Sequence, residues 1–150
     1  MLIRAVFIVA FVASVAVAES VKYLDCGSSV GKIAEVDVTP CPAEPCELIK
    51  GGNTSIAVKF TSNEVVNNAT SVVHGILAGV PVPFPLSNPD GCKDSGLECP
   101  LKSSTTYTYT TILPVKPVYP QLKLVVKWEL KDEKKNDIFC FEVPVKIVKK

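Results

Sequence analysis

Catalysis by a side chain needs a nucleophile, a base and a group that orients the base. This 150-residue sequence is poor in all three. His74 is the only histidine, and it lies inside the apolar run Val72-Val73-His74-Gly75-Ile76-Leu77. Nothing in the sequence places a nucleophile or an orienting acid beside it, so His74 reads as structural. The six cysteines offer no thiol if all of them pair. There is no glycine-rich phosphate loop and no clustered set of metal ligands. The sequence therefore points away from an enzyme, with no catalytic residue, no cofactor and no metal.

What it offers instead is apolar side chains on a stiff backbone. In Gly79-Val80-Pro81-Val82-Pro83-Phe84-Pro85, proline recurs at every second position. Each proline fixes φ and removes a donor, which excludes a helix or an inner strand. Two readings fit. The segment can be the rim of an apolar cavity, holding Val82 and Phe84 in place at little entropic cost. It can also be a proline-rich edge strand whose Phe84 plugs the core. Leu113-Pro114-Val115-Lys116-Pro117-Val118-Tyr119-Pro120 repeats the pattern, and two such segments can line one opening.

The elements that would carry these segments are strands. Ile33–Val38, Ile56–Phe60, Thr105–Leu113, Leu122–Leu130 and Phe139–Ile147 alternate apolar and polar residues, while Ala69–Ala78 is apolar on both faces, as a central strand is. Lys131–Asp137 is a charged turn. No window has a helical period. Strands at this spacing, with Pro/Gly/Asn turns, predict an all-β sandwich of two antiparallel sheets.

The first residues read as a targeting segment. Arg4 precedes the apolar stretch Ala5–Ala13, and Ala16-Val17-Ala18 is a small-x-small cleavage site. A signal peptide over 1–18 leaves one domain over 19–150, and the protein is expected to be secreted. Arg4 is the only arginine, so cleavage leaves fifteen lysines against fifteen acids. That balance implies no nucleic-acid partner. Near pH 4.5–5 the carboxylates begin to neutralise, and the resulting mild cation would favour anionic membrane surfaces.

In an exported chain, six cysteines read as three disulfides, with fifteen pairings possible in principle. Cys41-Pro-Ala-Glu-Pro-Cys46 can close on itself, as can the polar turn between Cys92 and Cys99, which leaves Cys26 and Cys140. A zinc site is the rival reading. Asn53-Thr54-Ser55 and Asn68-Ala69-Thr70 are acceptor sequons for N-glycans.

Asp25-Cys26-Gly27-Ser28, Thr39-Pro40-Cys41-Pro42, Phe60-Thr61-Ser62-Asn63, Val72 to Leu77, Gly79 to Pro85, Pro89-Asp90-Gly91-Cys92-Lys93, Leu113-Pro114-Val115-Lys116 and Phe139-Cys140 occur in an order that resembles the Niemann–Pick type C sterol-transfer branch of the ML lipid-recognition family. The resemblance runs from Val21 to Val148. It implies an immunoglobulin-like sandwich with a lipid cavity between its sheets, and the disulfides Cys26–Cys140, Cys41–Cys46 and Cys92–Cys99. It implies that cholesterol or a related sterol enters tail first. Phe84, Val115 and Tyr119 match pocket positions of the family, and Val82, Pro114, Tyr109 and Trp128 are expected further walls. Gly79, Val80 and Pro81 form the transfer rim.

The same resemblance implies a monomer working in the late endosome and lysosome lumen. It would pass sterol to the membrane-bound Niemann–Pick type C cholesterol transporter or, transiently, to anionic membranes. Ala78 departs from a bulkier methionine in mammalian members, and the sequons are placed differently. A broader lipid or semiochemical carrier is one alternative. A glycolipid-recognition accessory in innate immunity is another, which the proline and valine of the rim fit less well than basic residues would. Mass spectrometry of the secreted protein should show a chain that begins at Glu19 and gains six hydrogens on reduction.

Overall fold

The computed structural model describes residues 19–150, and the expected signal peptide lies outside them. Ten strands form two sheets. They are β1 (Glu19–Ser20), β2 (Leu24–Asp25), β3 (Gly31–Thr39), β4 (Cys46–Ile49), β5 (Asn53–Ser62), β6 (Thr70–Leu77), β7 (Val80–Phe84), β8 (Thr105–Pro114), β9 (Lys123–Lys131) and β10 (Asp137–Val148). One sheet has the order β1-β3-β5-β8. The other runs β2-β10-β9-β6-β7, with β4 also paired to β10. Pairing is antiparallel throughout except for β4, which runs parallel to the C-terminal half of β10. No described helix is long and apolar enough to cross a membrane.

The long strands follow their alternation. In β5, Thr54, Ile56, Val58, Phe60 and Ser62 are buried and the residues between them are not. The short strands β2 and β4 are too brief to leave a periodic signature. They lie end to end along the same edge of β10.

The proline-rich segment turns out to be an edge strand. Val80, Val82 and Phe84 pair with Leu77, Gly75 and Val73 of β6. Backbone groups alternate in direction along a strand, so Pro81 and Pro83 fall at positions whose donors would face outward. β6 joins β7 by a two-residue turn in which Ala78 and Gly79 have φ of 48° and 79°. Both central residues of this hairpin turn need positive φ, and Gly79 meets that at no steric cost.

The two sheets touch at one end. Ser29 and Val30 N–H both donate to the Asp137 carbonyl at 3.0 Å. A Cβ on Gly31 would lie 2.3 Å from the Ile138 carbonyl oxygen, so only glycine permits this approach. Above it stands a block of rings. Phe60 and Tyr109 meet Phe139 at 5.3 and 5.8 Å, and Trp128 stacks on Phe141 at 6.5 Å. Buried aromatic pairs in such tilted or stacked geometry give the core its largest contacts.

All six cysteines are paired, as Cys26–Cys140, Cys41–Cys46 and Cys92–Cys99. Cys26–Cys140 closes a separation of 114 residues. Replacing both cysteines with serine should cost about 4–5 kcal/mol in the chain-entropy treatment, read as a lowered urea midpoint. Opening the Cys41–Cys46 loop, whose sequence separation is 5, should cost less.

Candidate functional site

Toward the other end the inward rows change from aromatic to aliphatic. Along β9, Trp128 and Leu130 are packed, whereas Leu124 and Val126 border open space. Along β8 and the loop after it, Tyr109 is packed, whereas Leu113 and Val115 border the same space. Val73, Gly75 and Leu77 of β6 form a third wall, and Leu48 of β4 with Ile147 of β10 a fourth. The result is a cavity of about 170 Å³ between the sheets, with almost entirely apolar walls.

Its outer wall comes from the two proline-rich segments. Val82 and Phe84 of β7 stand against Pro114, Val115, Tyr119 and Pro120. The Phe84 and Tyr119 rings meet edge to face, 5.7 Å apart at 69°. Val115 is held by the β4–β5 turn, where Gly51 N–H donates to its carbonyl at 2.7 Å and its own N–H donates to the Gly52 carbonyl at 2.9 Å. Outside this wall lies an open groove of about 620 Å³, which includes Asp37, Asn88, Thr110 and Lys116. Phe84, Leu113, Pro114 and Tyr119 belong to both spaces. An apolar interior thus adjoins a more polar outer groove through one aromatic pair.

Five of the seven expected pocket residues come together here: Val82, Phe84, Pro114, Val115 and Tyr119. Tyr109 and Trp128 do not line the cavity. They are fully buried in the aromatic block, where the Tyr109 hydroxyl bonds Ser71 Oγ at 2.7 Å. Burial pushes the Tyr109 phenol above its ordinary pKa, against the opposing pull of that hydrogen bond. The two rings are inward-facing, as alternation requires, but they stand at the closed end. Gly79, Val80 and Pro81 are exposed at the β6–β7 turn, outside the cavity. Val80 is 60% exposed, and Val118, just before Tyr119, is 84% exposed.

The aliphatic walls Leu48, Gly75, Leu77, Leu124 and Ile147 were not singled out by sequence. Alternation marks Leu124 and Ile147 as inward-facing, but only the position of the aromatic block shows which inward residues are left unpacked.

His74 borders the cavity on β6, and its Nδ1 is buried without a hydrogen-bond partner, so no acid orients the ring through that atom. Glu129, Asp137 and Cys140 place candidate metal-ligand atoms within 4.8 Å of one another. Cys140 is spent in a disulfide, however, and Lys131 Nζ sits 2.9 Å from Glu129 and 3.1 Å from Asp137. A cation already occupies that centre. Asn53 and Asn68 are both exposed, at the start of β5 and just before β6.

An apolar cavity of about 150 Å³ takes a benzene-sized guest, and natural ligand pockets run from roughly 300 Å³ upward. A larger guest must therefore part the walls. The part free to yield is the outer one: β7 has a ladder on one side only, and the loop carrying Tyr119 is not a strand.

A family model described as the ML domain matches residues 20–147. The chain is 53% identical over 130 residues to the mouse NPC intracellular cholesterol transporter 2, covering 87% of each chain. It is 42% identical over 142 residues to homolog a of that protein in Drosophila melanogaster, covering 93% of this chain and 96% of the relative. Its structure superposes on the crystal structure of a Niemann-Pick type C2 protein from the Japanese carpenter ant with a TM-score of 0.82 at 37% identity, covering 85% of this chain and 100% of that one.

Gly75 gives the cavity a direct test. A Cβ there would stand 3.0 Å from Leu124 Cδ1 of the neighbouring strand β9, on the cavity side of the same sheet. Gly75→Val should fill the seam and reduce binding of an apolar fluorescent probe at least tenfold, with a cooperative melt retained.

Proposed function

The chain belongs to the ML lipid-recognition family, and from that premise we propose how it acts as a carrier of cholesterol or a closely related sterol. It is a sterol and lipid carrier, not an enzyme, in keeping with its transporter relatives. The observation that carries the reading is the junction at Phe84 and Tyr119, with apolar walls within and a polar groove without. A sterol has one polar end. Its hydrocarbon tail suits the aliphatic interior, and its hydroxyl then remains at the mouth, beside water.

The energetics need no polar recognition. About 28 heavy atoms at around 0.3 kcal/mol each give roughly 8 kcal/mol, or micromolar affinity. Part of that gain is used to part the walls, since the cavity is smaller than the guest. Binding is therefore coupled to movement of β7 and the Val115–Tyr119 segment away from each other. Phe84, Val115 and Tyr119 are the residues assigned to the mouth, with Val82 and Pro114 beside them.

Transfer uses the surface next to that mouth. Val80 and Pro81, exposed at the hairpin with Gly79, are the assigned contact with a membrane or with the membrane-bound Niemann–Pick type C cholesterol transporter. With residues 1–18 as a signal peptide and 19–150 as the ML domain, the working form is a secreted monomer delivered to the late endosome and lysosome lumen. Asn53 and Asn68 are its assigned glycan sites.

Cholesterol should bind saturably at one per chain. Phe84→Ala or Val115→Gln should lower that affinity at least tenfold with little change in melting temperature, measured by competition with labelled sterol. Unchanged affinity in both variants would place the mouth elsewhere. Fatty acids recovered from the purified protein, with cholesterol unable to compete, would make it a general lipid carrier.

A further inference from the structure

Six of the acidic side chains are set against one another. Glu35 and Asp37 stand two residues apart on the outer face of β3, their carboxyls within hydrogen-bonding reach, and Asp37 Oδ1 is buried with no donor. Asp132, in the turn after β9, accepts the Lys134 and Asn136 N–H groups on Oδ1 at 2.9 and 2.8 Å. Its Oδ2 is buried and unpartnered, and the Glu64 carboxyl lies within reach of the group. Glu129 and Asp137 have oxygens within 4.8 Å of each other, and Lys131 binds both.

The surroundings do not fully neutralise these pairs. Lys59 of β5 stands across from Glu35, but Asp37 faces Ala57 of β5 and Ser20 of β1. Lys134 and Glu133 act on Glu64 with opposite sign. Glu129 has Lys127 at 4.0 Å and Lys131 nearer, with Val72 of β6 and the disulfide-bonded Cys140 of β10 across from it. His74 of β6 is in register with Lys127, and Thr70 with Lys131.

We propose that Glu35–Asp37, Glu64–Asp132 and Glu129–Asp137 are proton-binding pairs that make this fold more stable in mild acid than at neutral pH. One shared proton removes the repulsion within a pair and converts it into a charge-assisted hydrogen bond. It also supplies the donor that Asp37 Oδ1 and Asp132 Oδ2 lack.

One member of each pair is held above its ordinary pKa. Burial and then the Glu35 charge raise Asp37, the hydrogen bond to Asp132 and then burial raise Glu64, and burial and then the hydrogen bond to Glu129 raise Asp137. Raised acids bind protons in the folded chain before they do so in the unfolded one, so stability increases as pH falls through their folded values. Asp132 and Glu129 are held low: burial opposes this, but hydrogen bonds and lysine charges outweigh it. Their contribution is present above the ordinary carboxylate range and is lost as pH falls through the depressed values. The two trends meet in the ordinary carboxylate range, so stability rises from neutral pH into mild acid and falls only in stronger acid.

The experiment is a set of thermal melts of the disulfide-intact chain from about pH 7.5 to about pH 4.5. The melting temperature should rise by several degrees on acidification. The variant Asp37→Asn/Glu64→Gln/Asp137→Asn should melt at neutral pH near the acid value of the parent and change little with pH. A parent that only loses stability on acidification overturns the proposal. So does a rise that survives in the triple variant, since another group then carries it. Carboxyl-carbon NMR titration of the parent tests the same assignment without substitutions. Midpoints of Asp37, Glu64 and Asp137 above their reference values support it, and ordinary midpoints overturn it.

Discussion

The closest approach of the two sheets lies at one end of the sandwich, and the rest of the structure depends on that asymmetry. At the closed end, the backbone of Val30–Gly31 lies against that of Asp137–Ile138, at a distance that excludes any side chain. The ring block of Phe60, Tyr109, Trp128, Phe139 and Phe141 stands on that contact. Cys26–Cys140 reinforces the same end, and Cys41–Cys46 the β4–β10 edge. None of the three disulfides spans from β7 to the loop after β8. The seam between β7 and the loop after β8, the proposed way in, is thus the part of the sandwich held by apolar contact.

That division separates stability from function. Aliphatic walls around 170 Å³ of unfilled space forfeit roughly 4 kcal/mol relative to a packed interior. The long-range Cys26–Cys140 crosslink contributes about as much through the unfolded state. The closed half can be rigid because it does no binding. The open half can yield because it does not hold the fold together. A carrier must release what it binds, so a seam without directional bonds is an advantage.

Much of this was legible in the residues. Alternation in Ile56-Ala57-Val58-Lys59-Phe60 and in Leu122–Leu130 marked the strands, and Cys41-x₄-Cys46 allowed a local loop. The two proline-rich segments allowed one shared opening or two edge loops, because alternating proline and apolar residues suit an edge and not a core. The choice between rim and edge strand dissolves in the structure, where β7 is both. Tyr109 and Trp128 were harder to place. Alternation assigns a residue to a face, not to a position along the sandwich, and the boundary between ring block and cavity is set by contacts between strands far apart in sequence. The short strands β2 and β4 were invisible for a similar reason, since their pairing is dictated by β10.

The prolines of β7 have a consequence for the company this molecule keeps. A sheet that ends beside a yielding apolar seam is an invitation for another chain to add a strand, and from there to polymerise. Along the outer edge of β7, Pro81 and Pro83 replace the donors such a strand would need. An approaching backbone meets carbonyls and pyrrolidine rings, so the ladder cannot be extended in register. The edge is closed to further strands while its neighbouring seam stays open to a small apolar guest. Crowded copies can therefore expose this side of the sandwich without being drawn into fibrils.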